Sequence, residues 1–301
     1  MTASALGYRR ATPTLVAGHL TLTVAHDGHR TRPVTTDGRG VLQLKQPMYL
    51  DDSGQLTYLL VNPGGAYFGE TYRYLVDVGP SASLLLSTQG ATRIYRTPLE
   101  PAVQESIFTL AAGSRLEYVP DQTIAYRNAT YRQWTRIIAD PDAQGYLSDI
   151  ITPGWDPDGA KFTYSDIHLR LEMQCAGGSP AGESDEPRTR SVCVDNVRIQ
   201  PRVLGDAVHG VGYLEAHTHM GTVLVFGPHT RGDYREGIQE IVDRRPHLRA
   251  GVTTGTRHGV SWLMVRALAH STDALKQLVL ACNEFDRSVA TGQAMLDLRR
   301  Y

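Results

Sequence analysis

The chain has 301 residues, 41% hydrophobic and 20% charged, which is typical of a soluble globular protein with a sizeable core. Its formal net charge of -1 gives no reason to expect nucleic acid or an anionic membrane as a partner. No apolar run is long enough to cross a bilayer and the first residues lack a signal-peptide core, so a cytoplasmic protein is expected.

The first half of the chain is predicted to be β-rich. Short β-branched and aromatic runs, each ending near Gly, Pro, Asn or Asp, are typical of strands separated by tight turns. These predicted strands are 20–24, 56–61, 71–78, 83–88, 106–110, 115–119 and 135–139.

A repeat of about 30 residues runs through this part of the chain. The segments 76–87, 108–119 and 137–149 each contain an apolar strand, a tight turn of small or acidic residues and a second strand, and they align at Pro80, Ala112 and Asp142. Units of this size cannot bury their apolar faces alone, so the repeat predicts strand-turn-strand units stacked on one another.

The last third of the chain mixes strands and helices. Residues 176–190 are Gly, Ser, Pro and charged residues and predict a flexible surface loop. Strands are predicted at 191–199, 221–227, near Val252 and at 261–268. Helices are predicted at 233–245 with Asp233 as N-cap, and from Asp273 to Val289 with Thr272 as cap. The apolar stripe of the second helix is Leu275, Leu278, Val279, Cys282, Phe285 and Val289.

The predicted fold is therefore mainly β with a few helices. A stacked, helical β-coil body is followed by a C-terminal α+β segment. The predicted division is 1–175 for the β-rich body, 176–190 for the loop and 191–301 for the continuing strands and two helices, with one domain overall as the alternative.

A search for catalytic and metal motifs finds little. Cys175, Cys193 and Cys282 form no C-x-x-C pair and are expected to be reduced thiols. His217 and His219 form an H-x-H pair that predicts two imidazoles on one strand face, which makes them weak metal-ligand candidates without a third ligand at defined spacing. Nucleophile elbows, phosphate loops and nucleotide fingerprints are absent.

Acidic residues inside apolar strands are more informative. Alternation places Glu70 with Tyr72 and Tyr74, Asp149 with neighbouring apolar residues, and Asp195 with Cys193, while Glu117 lies between Leu116 and Tyr118. A buried carboxylate is costly unless it is paired or hydrated. These faces could be exposed, or each acid could pair with an arginine such as Arg73 or Arg93. The alternative is that the four acids together border an internal hydrated path that holds divalent metals loosely.

Aromatic residues beside turns form a further group. Tyr67, Phe68, Tyr126, Tyr131 and Trp134 flank the predicted turns, and 15 Tyr against 5 Phe favours rings with one wet end. Such rings are common at protein–protein contacts, although structural packing explains most of them equally well.

At this point the chain resembles the UreD family of urease accessory proteins, called UreH in some bacteria. The resemblance is carried by LVNPGGAYFGETYRYLVDVGPSASLLLSTQGATRIYRTP (60–98), LEYVPDQTIAYRNATYRQ (116–133) and ITPGWDPDG (151–159), in this order and spacing. The ending DLRRY departs from the Pro-Arg-Ile-Trp type of tail found in several members.

The resemblance implies a non-enzymatic chaperone that inserts nickel into apo-urease in complex with UreF and the GTPase UreG. It implies no tightly bound cofactor, with nickel as transient cargo, and no nucleic-acid or membrane partner. It also implies an internal polar tunnel at positions matching Glu70, Thr92, Asp149 and Asp195. Glu117 joins this set from strand alternation.

Two other classes of function stay open. The chain could be a pure scaffold or adaptor that opens urease without conducting nickel. It could also be an enzyme, such as a metalloenzyme using the histidines near His217 and His219. Loss of nickel transfer on removal of the acids separates the first two readings, and one tight stoichiometric metal would favour the third.

Overall fold

The computed structural model describes residues 16–61, 66–177 and 189–294, and two facing β-sheets dominate them. The first sheet has seven strands within these ranges. In spatial order they are β15 (Thr189–Ile199), β14 (Asp166–Ala176), β12 (Thr130–Ala139), β9 (Ala102–Leu110), β6 (Thr71–Val78), β1 (Val16–His26) and β2 (Thr31–Gly40).

The second sheet faces the first. Its main path, in spatial order, is β17 (Arg249–Arg257), β18 (Val260–Ala269), β16 (His219–Phe226), β13 (Gln144–Ile151), β10 (Arg115–Val119), β7 (Ser83–Thr88), β4 (Leu56–Val61) and β3 (Gln43–Leu44). Three short strands pair beside this path and form a third side: β5 (Ala66–Tyr67), β8 (Thr92–Ile94) and β11 (Thr123–Ala125).

Successive coils of the chain stack in parallel, as the 30-residue repeat predicted. Arg115 pairs with Ser83 on one side and with Gln144 on the other, so β7, β10 and β13 lie in register. The turns that precede β7 and β10 are also stacked: a hydrogen bond of 3.1 Å joins them, from the Ser81 amide to the Ala112 carbonyl. The mainly β fold with stacked coils is therefore confirmed.

Turn chemistry explains why some strand ends were predicted to the residue. The predicted bounds of β4, β6, β7 and β10 agree with the structure. Each of these strands is followed or preceded by Gly, Pro or a Ser-containing turn that cannot continue the ladder. The longer strands β1, β9 and β12 begin four or five residues earlier than the predicted runs, because small or polar residues such as Gly18, Gln104 and Arg132 interrupt the apolar pattern near their starts.

Three α-helices occur in the described residues: α1 (Pro201–Leu204), α2 (Tyr234–Asp243) and α3 (Thr272–Thr291). Short 3-10 turns lie at Gly205–His209 and Pro228–Thr230. The prediction that Thr272 caps α3 is wrong, because the hydroxyl of Ser271 accepts the amide of Ala274 at 3.3 Å. Asp233 does occupy the N-cap position of α2, but its side chain makes no capping hydrogen bond.

Helices α2 and α3 cover the outer face of the second sheet. Leu275, Leu278, Val279 and Cys282 of the predicted stripe are buried against residues of β13, β16 and β18. Val289 was predicted to continue the stripe, but it is 47% exposed, because Asn283, Asp286 and Arg287 form the buried face at this end of α3. None of the helices in the described ranges is long and apolar enough to span a membrane.

The predicted loop at 176–190 lies mostly outside the described residues, since 178–188 are not described. On either side of it, β14 and β15 pair antiparallel and place strands from both parts of the chain in one sheet. The division of the chain into domains stays a prediction. All three cysteines are free thiols, as expected, and all three are buried.

Candidate functional site

A small cavity with an apolar wall and a few polar groups lies between the two sheets. Its volume is about 40 Å³, enough for a few water molecules. Its polar lining comes from both sheets and includes Gln133, Thr135, Asp149, Asp195, Thr222 and Arg266. Of the five predicted path residues, Asp149 and Asp195 border this cavity.

Strand register brings the charged residues of the cavity together. Asp149 of β13 pairs with Thr222 of β16, which pairs with Arg266 of β18, so the three form one row across the second sheet. Asp195 reaches this row from β15 of the opposite sheet. Its carboxylate accepts a hydrogen bond from the Arg266 guanidinium at 2.6 Å, which forms an ion pair that bridges the two sheets.

A chain of uncharged polar groups leads to Asp149 across the first sheet. The Tyr131 hydroxyl lies 3.2 Å from Oε1 of Gln104 and 3.0 Å from Oε1 of Gln133. The Gln133 amide in turn donates to the carboxylate of Asp149, and the Gln104 amide donates to the Ser106 hydroxyl at 3.3 Å. Buried polar groups need hydrogen-bond partners, and the members of this row have them. The row can therefore be accommodated between the apolar faces of the two sheets.

The environment of Asp149 favours its protonated form. Burial is the main cause and raises the pKa of Asp149 to about 6, and the nearby Asp195 carboxylate adds to the shift. The Gln133 hydrogen bond and the positive charge of Arg266 act in the opposite direction. Near neutral pH the carboxylate is mainly ionised yet poorly solvated, and such a group gains from a cation or water in the cavity.

This pKa predicts a specific dependence of stability on pH. The unfolded chain loses the Asp149 proton near pH 4, whereas the folded protein holds it to about pH 6. The contribution of the carboxyl to the free energy of unfolding is therefore fully present below about pH 4 and is lost as the pH rises through about 6. The pKa difference of about two corresponds to roughly 3 kcal/mol.

Asp149→Asn cannot titrate and serves as the reference for this prediction. Urea unfolding of both proteins in chelator-treated buffer, from about pH 4.5 to about pH 8, gives the comparison. The free energy of unfolding of the wild type is expected to fall relative to that of the variant as the pH rises. Parallel curves for the two proteins would contradict the raised pKa.

Glu70 and Thr92 lie outside the cavity lining. Glu70 directly precedes β6, is half-buried, and accepts the Phe68 amide through its carboxylate. Thr92 of β8 pairs with Thr123 of β11, which pairs with Ile151 of β13. Two strand spacings, about 10 Å, therefore separate Thr92 from β13, and the path role of both residues stays a prediction.

Glu117 lies on the other face of the second sheet, under α3. Strand alternation in β10 turns Tyr118 toward the cavity and Glu117 toward the helix. Glu117 is fully buried and accepts hydrogen bonds from Arg115 at 3.1 Å and from Arg287 at 2.7 Å. Glu117 therefore does not join Asp149 and Asp195 at the cavity. Strand alternation predicted that Glu117 shares a buried face, but it could not tell which of the two faces borders the cavity.

The histidine pair also differs from the predicted arrangement. His217 precedes β16 and stacks on His270 with ring centroids 4.7 Å apart, whereas His219 begins the strand. Burial, helped by Lys161 and His270, lowers the pKa of His219 to about 4, so its ring is neutral at pH 7. Across the described ranges, no group of three or more His, Cys, Asp or Glu side chains is arranged to hold a metal ion.

The sequence reading missed Gln104, Gln133 and Arg266. A single glutamine near the start of a strand, as in β9 and β12, looks like solvent-exposed surface, and a single arginine in a predicted strand looks like surface charge. A signal was nevertheless present, since Gln104 and Gln133 are separated by about one 30-residue repeat and so stack in adjacent coils.

Comparison with known proteins identifies the relatives of this chain. The family model described as UreD urease accessory protein matches residues 16–300. A urease accessory protein UreD from Arthrobacter sp. (strain FB24) is 39% identical over 285 residues, covering 94% of each chain. The UreD of Paenarthrobacter aurescens is 40% identical over 289 residues, covering 95% of this chain and 96% of its own, and that of Corynebacterium glutamicum (strain ATCC 13032) is 33% identical over 296 residues, covering 96% and 100%.

Proposed function

The chain belongs to the UreD family of urease accessory proteins, and on that premise we propose that it is a non-catalytic maturation factor that passes nickel to apo-urease through its interior. It acts in the cytoplasm within a complex that contains UreF, the GTPase UreG and the urease subunits. Nickel is its cargo, and no cofactor is bound tightly. The observation that supports the conducting role is that the carboxylates of Asp149 and Asp195 border one internal cavity.

A hydrated interior path explains why polar groups are retained inside the sheets. An apolar core would avoid the cost of desolvating Gln104, Gln133, Asp149 and Asp195. The cavity instead has room for water and presents carboxylate oxygens, and both are weaker ligands for nickel than imidazole or thiolate. Weak ligands let a cation leave as readily as it enters, which suits transfer and not storage.

Charge in the cavity favours entry of a cation. Two arginines, Arg170 and Arg266, line the cavity with the two carboxylates, but Arg170 is already held by the Glu172 carboxylate, which leaves Arg266 as the one positive group of the lining that faces Asp149 and Asp195. The Arg266 guanidinium is hydrogen-bonded to the Asp195 carboxylate, so a passing cation must compete with Arg266 for that carboxylate. We propose that nickel passes by way of Asp149 and Asp195, with Glu70 and Thr92 as further polar contacts nearer the third side of the coil.

The alternative within the same family role is a scaffold that opens urease while nickel arrives by another route. Both readings require complex assembly, but only the conducting reading requires the charges of the cavity. An enzymatic role for His217 and His219 has less support, because the described residues contain no group of three or more His, Cys, Asp or Glu side chains arranged to hold a metal ion.

Reconstitution from purified components tests the family role. Apo-urease, UreF, UreG, GTP and nickel are combined with and without the chain, and urease activity is followed together with co-purification of the complex. We expect activity to depend on the chain and the chain to co-purify with UreF and urease. Equal activation without the chain would overturn the role as a maturation factor.

A further inference from the structure

Four aromatic rings from successive coils stack along one edge of the molecule. Phe68 stacks on Tyr95 with ring centroids 5.2 Å apart and 17° between the planes, Tyr95 contacts Tyr126 at 4.6 Å, and Tyr126 contacts Trp155 at 5.0 Å. We call these four residues the aromatic ladder. The ladder is about 15 Å long, which equals four to five residues of extended chain at roughly 3.3 Å each.

The coil repeat builds the ladder. Its members are spaced by about 30 residues, and Tyr95 and Tyr126 directly follow the stacked short strands β8 and β11. Backbone hydrogen bonds hold the coils in register here, from the Tyr126 amide to the Ile94 carbonyl at 2.8 Å and from the Trp155 amide to the Ala125 carbonyl at 2.9 Å. The ring positions are therefore fixed by the fold before any partner binds.

Packing within the chain does not account for the ladder. Phe68 is 57% exposed and Trp155 is 50% exposed, and none of the four rings belongs to the buried core clusters of the described residues. The rings border an open groove of about 510 Å³. Contiguous exposed aromatic surface of this kind is characteristic of binding sites.

The charges at the groove indicate the chemistry of the partner. Arg96 borders the groove, is exposed, and has no ion-pair partner among the described residues. Arg127 is also there, but its guanidinium is already held by Asp156 at 2.5 Å and by Asp158 at 2.6 Å. The free positive charge beside the rings is therefore that of Arg96, to which exposed Arg93 on β8 adds from the neighbouring surface.

We infer that the aromatic ladder is a docking surface for an extended acidic segment of a partner protein. Its rings would contact alternate side chains or prolines of the segment, while Arg96 pairs with a carboxylate. Single-stranded nucleic acid, the other usual ligand of stacked aromatics, fits less well. A row of phosphates requires positive charge along the whole groove, whereas among its described lining residues only Arg96 is an arginine that no carboxylate holds. This surface lies outside the cavity and does not depend on nickel conduction.

Selection from a random peptide display library on the purified full chain tests the inference. We expect enrichment of acidic, extended sequences whose affinity falls at least about tenfold in Trp155→Ser and in Arg96→Glu. The matched controls are Leu99→Ser, which removes an exposed apolar side chain outside the ladder, and Arg235→Glu, which reverses an exposed charge on α2. The controls are expected to change affinity by less than about twofold.

Several results would overturn the inference. The inference is overturned if the selected peptides lack acidic residues, or if the ladder variants bind them as well as the controls do. It is also overturned if the wild type shows no enrichment over the Trp155→Ser protein, or if oligothymidylate competes more strongly than acidic peptide. Circular dichroism checks folding, and Phe68→Ser provides a second ladder variant at an exposed ring. The Asp149→Asn/Asp195→Asn protein should bind the selected peptides like the wild type, which separates a failure of the conducting role from a failure of the docking surface.

Discussion

Replacing Asp149 and Asp195 together with asparagine is expected to lower the rate of urease activation at least about tenfold in the reconstituted complex. The substitutions keep the shape of both side chains but remove two negative charges and leave Arg266 unpaired in the cavity. Interaction of a cation with one charge about 4 Å away is on the order of several kcal/mol near a protein surface. Tenfold, about 1.4 kcal/mol, is therefore a modest expectation.

The measurement is the initial rate of urease activation at limiting nickel, with assembly of the complex followed by size-exclusion chromatography. The matched control is Asp52→Asn/Asp206→Asn, which removes two exposed carboxylates outside the cavity. That control is expected to activate urease at the wild-type rate. A normal rate with the cavity variant in an intact complex would support the scaffold reading.

Arg287→Met is expected to cause the largest loss of stability, about 3–5 kcal/mol, because it breaks a buried ion-pair network. Arg287 is fully buried, and its guanidinium donates to Glu117 at 2.7 Å and to Gln55 at 2.9 Å. It also donates to Gln293, Asp51 and the carbonyl of Ala294, so all five N–H groups have acceptors. Methionine has a similar volume but cannot form an ion pair, so the buried Glu117 carboxylate loses its contact with Arg287 and keeps only that with Arg115 as an ion pair.

Urea unfolding at pH 7 measures this effect, with Arg235→Met as the control at an exposed helix position. The control is expected to stay within about 0.5 kcal/mol of the wild type. The surviving folded Arg287→Met protein should activate urease at the normal rate, because the network lies on the helix side of the second sheet. A small stability change together with lost activation would instead place Glu117 and its partners in the nickel path.

Strand alternation and turn chemistry predicted most of the β body, but they did not predict which face of each strand borders the cavity. Asp149 and Glu117 both lie in strands of the second sheet, and one faces the first sheet while the other faces α3. Only the layer order of the fold distinguishes the two faces. The same limit applies to Tyr131, which was predicted beside a turn and is fully buried between the sheets.

The aromatic ladder is a feature that the 30-residue repeat could have predicted in full, although only two of its four rings were identified from the sequence. Phe68 and Tyr126 were singled out as aromatics beside turns, whereas Tyr95 and Trp155 were not. Extending the 30-residue alignment to the third turn of each coil would have placed all four rings in one column. Tyr67 was also singled out, but its side chain lies outside the described residues.

The most direct test of the conducting role is the nickel content of urease after activation by the Asp149→Asn/Asp195→Asn protein in a preassembled complex. Nickel per urease active site is measured over time by elemental analysis of the re-isolated enzyme. The account predicts that nickel uptake slows in step with the loss of activation while the complex stays intact. Full nickel uptake at the wild-type rate would contradict transfer through the cavity.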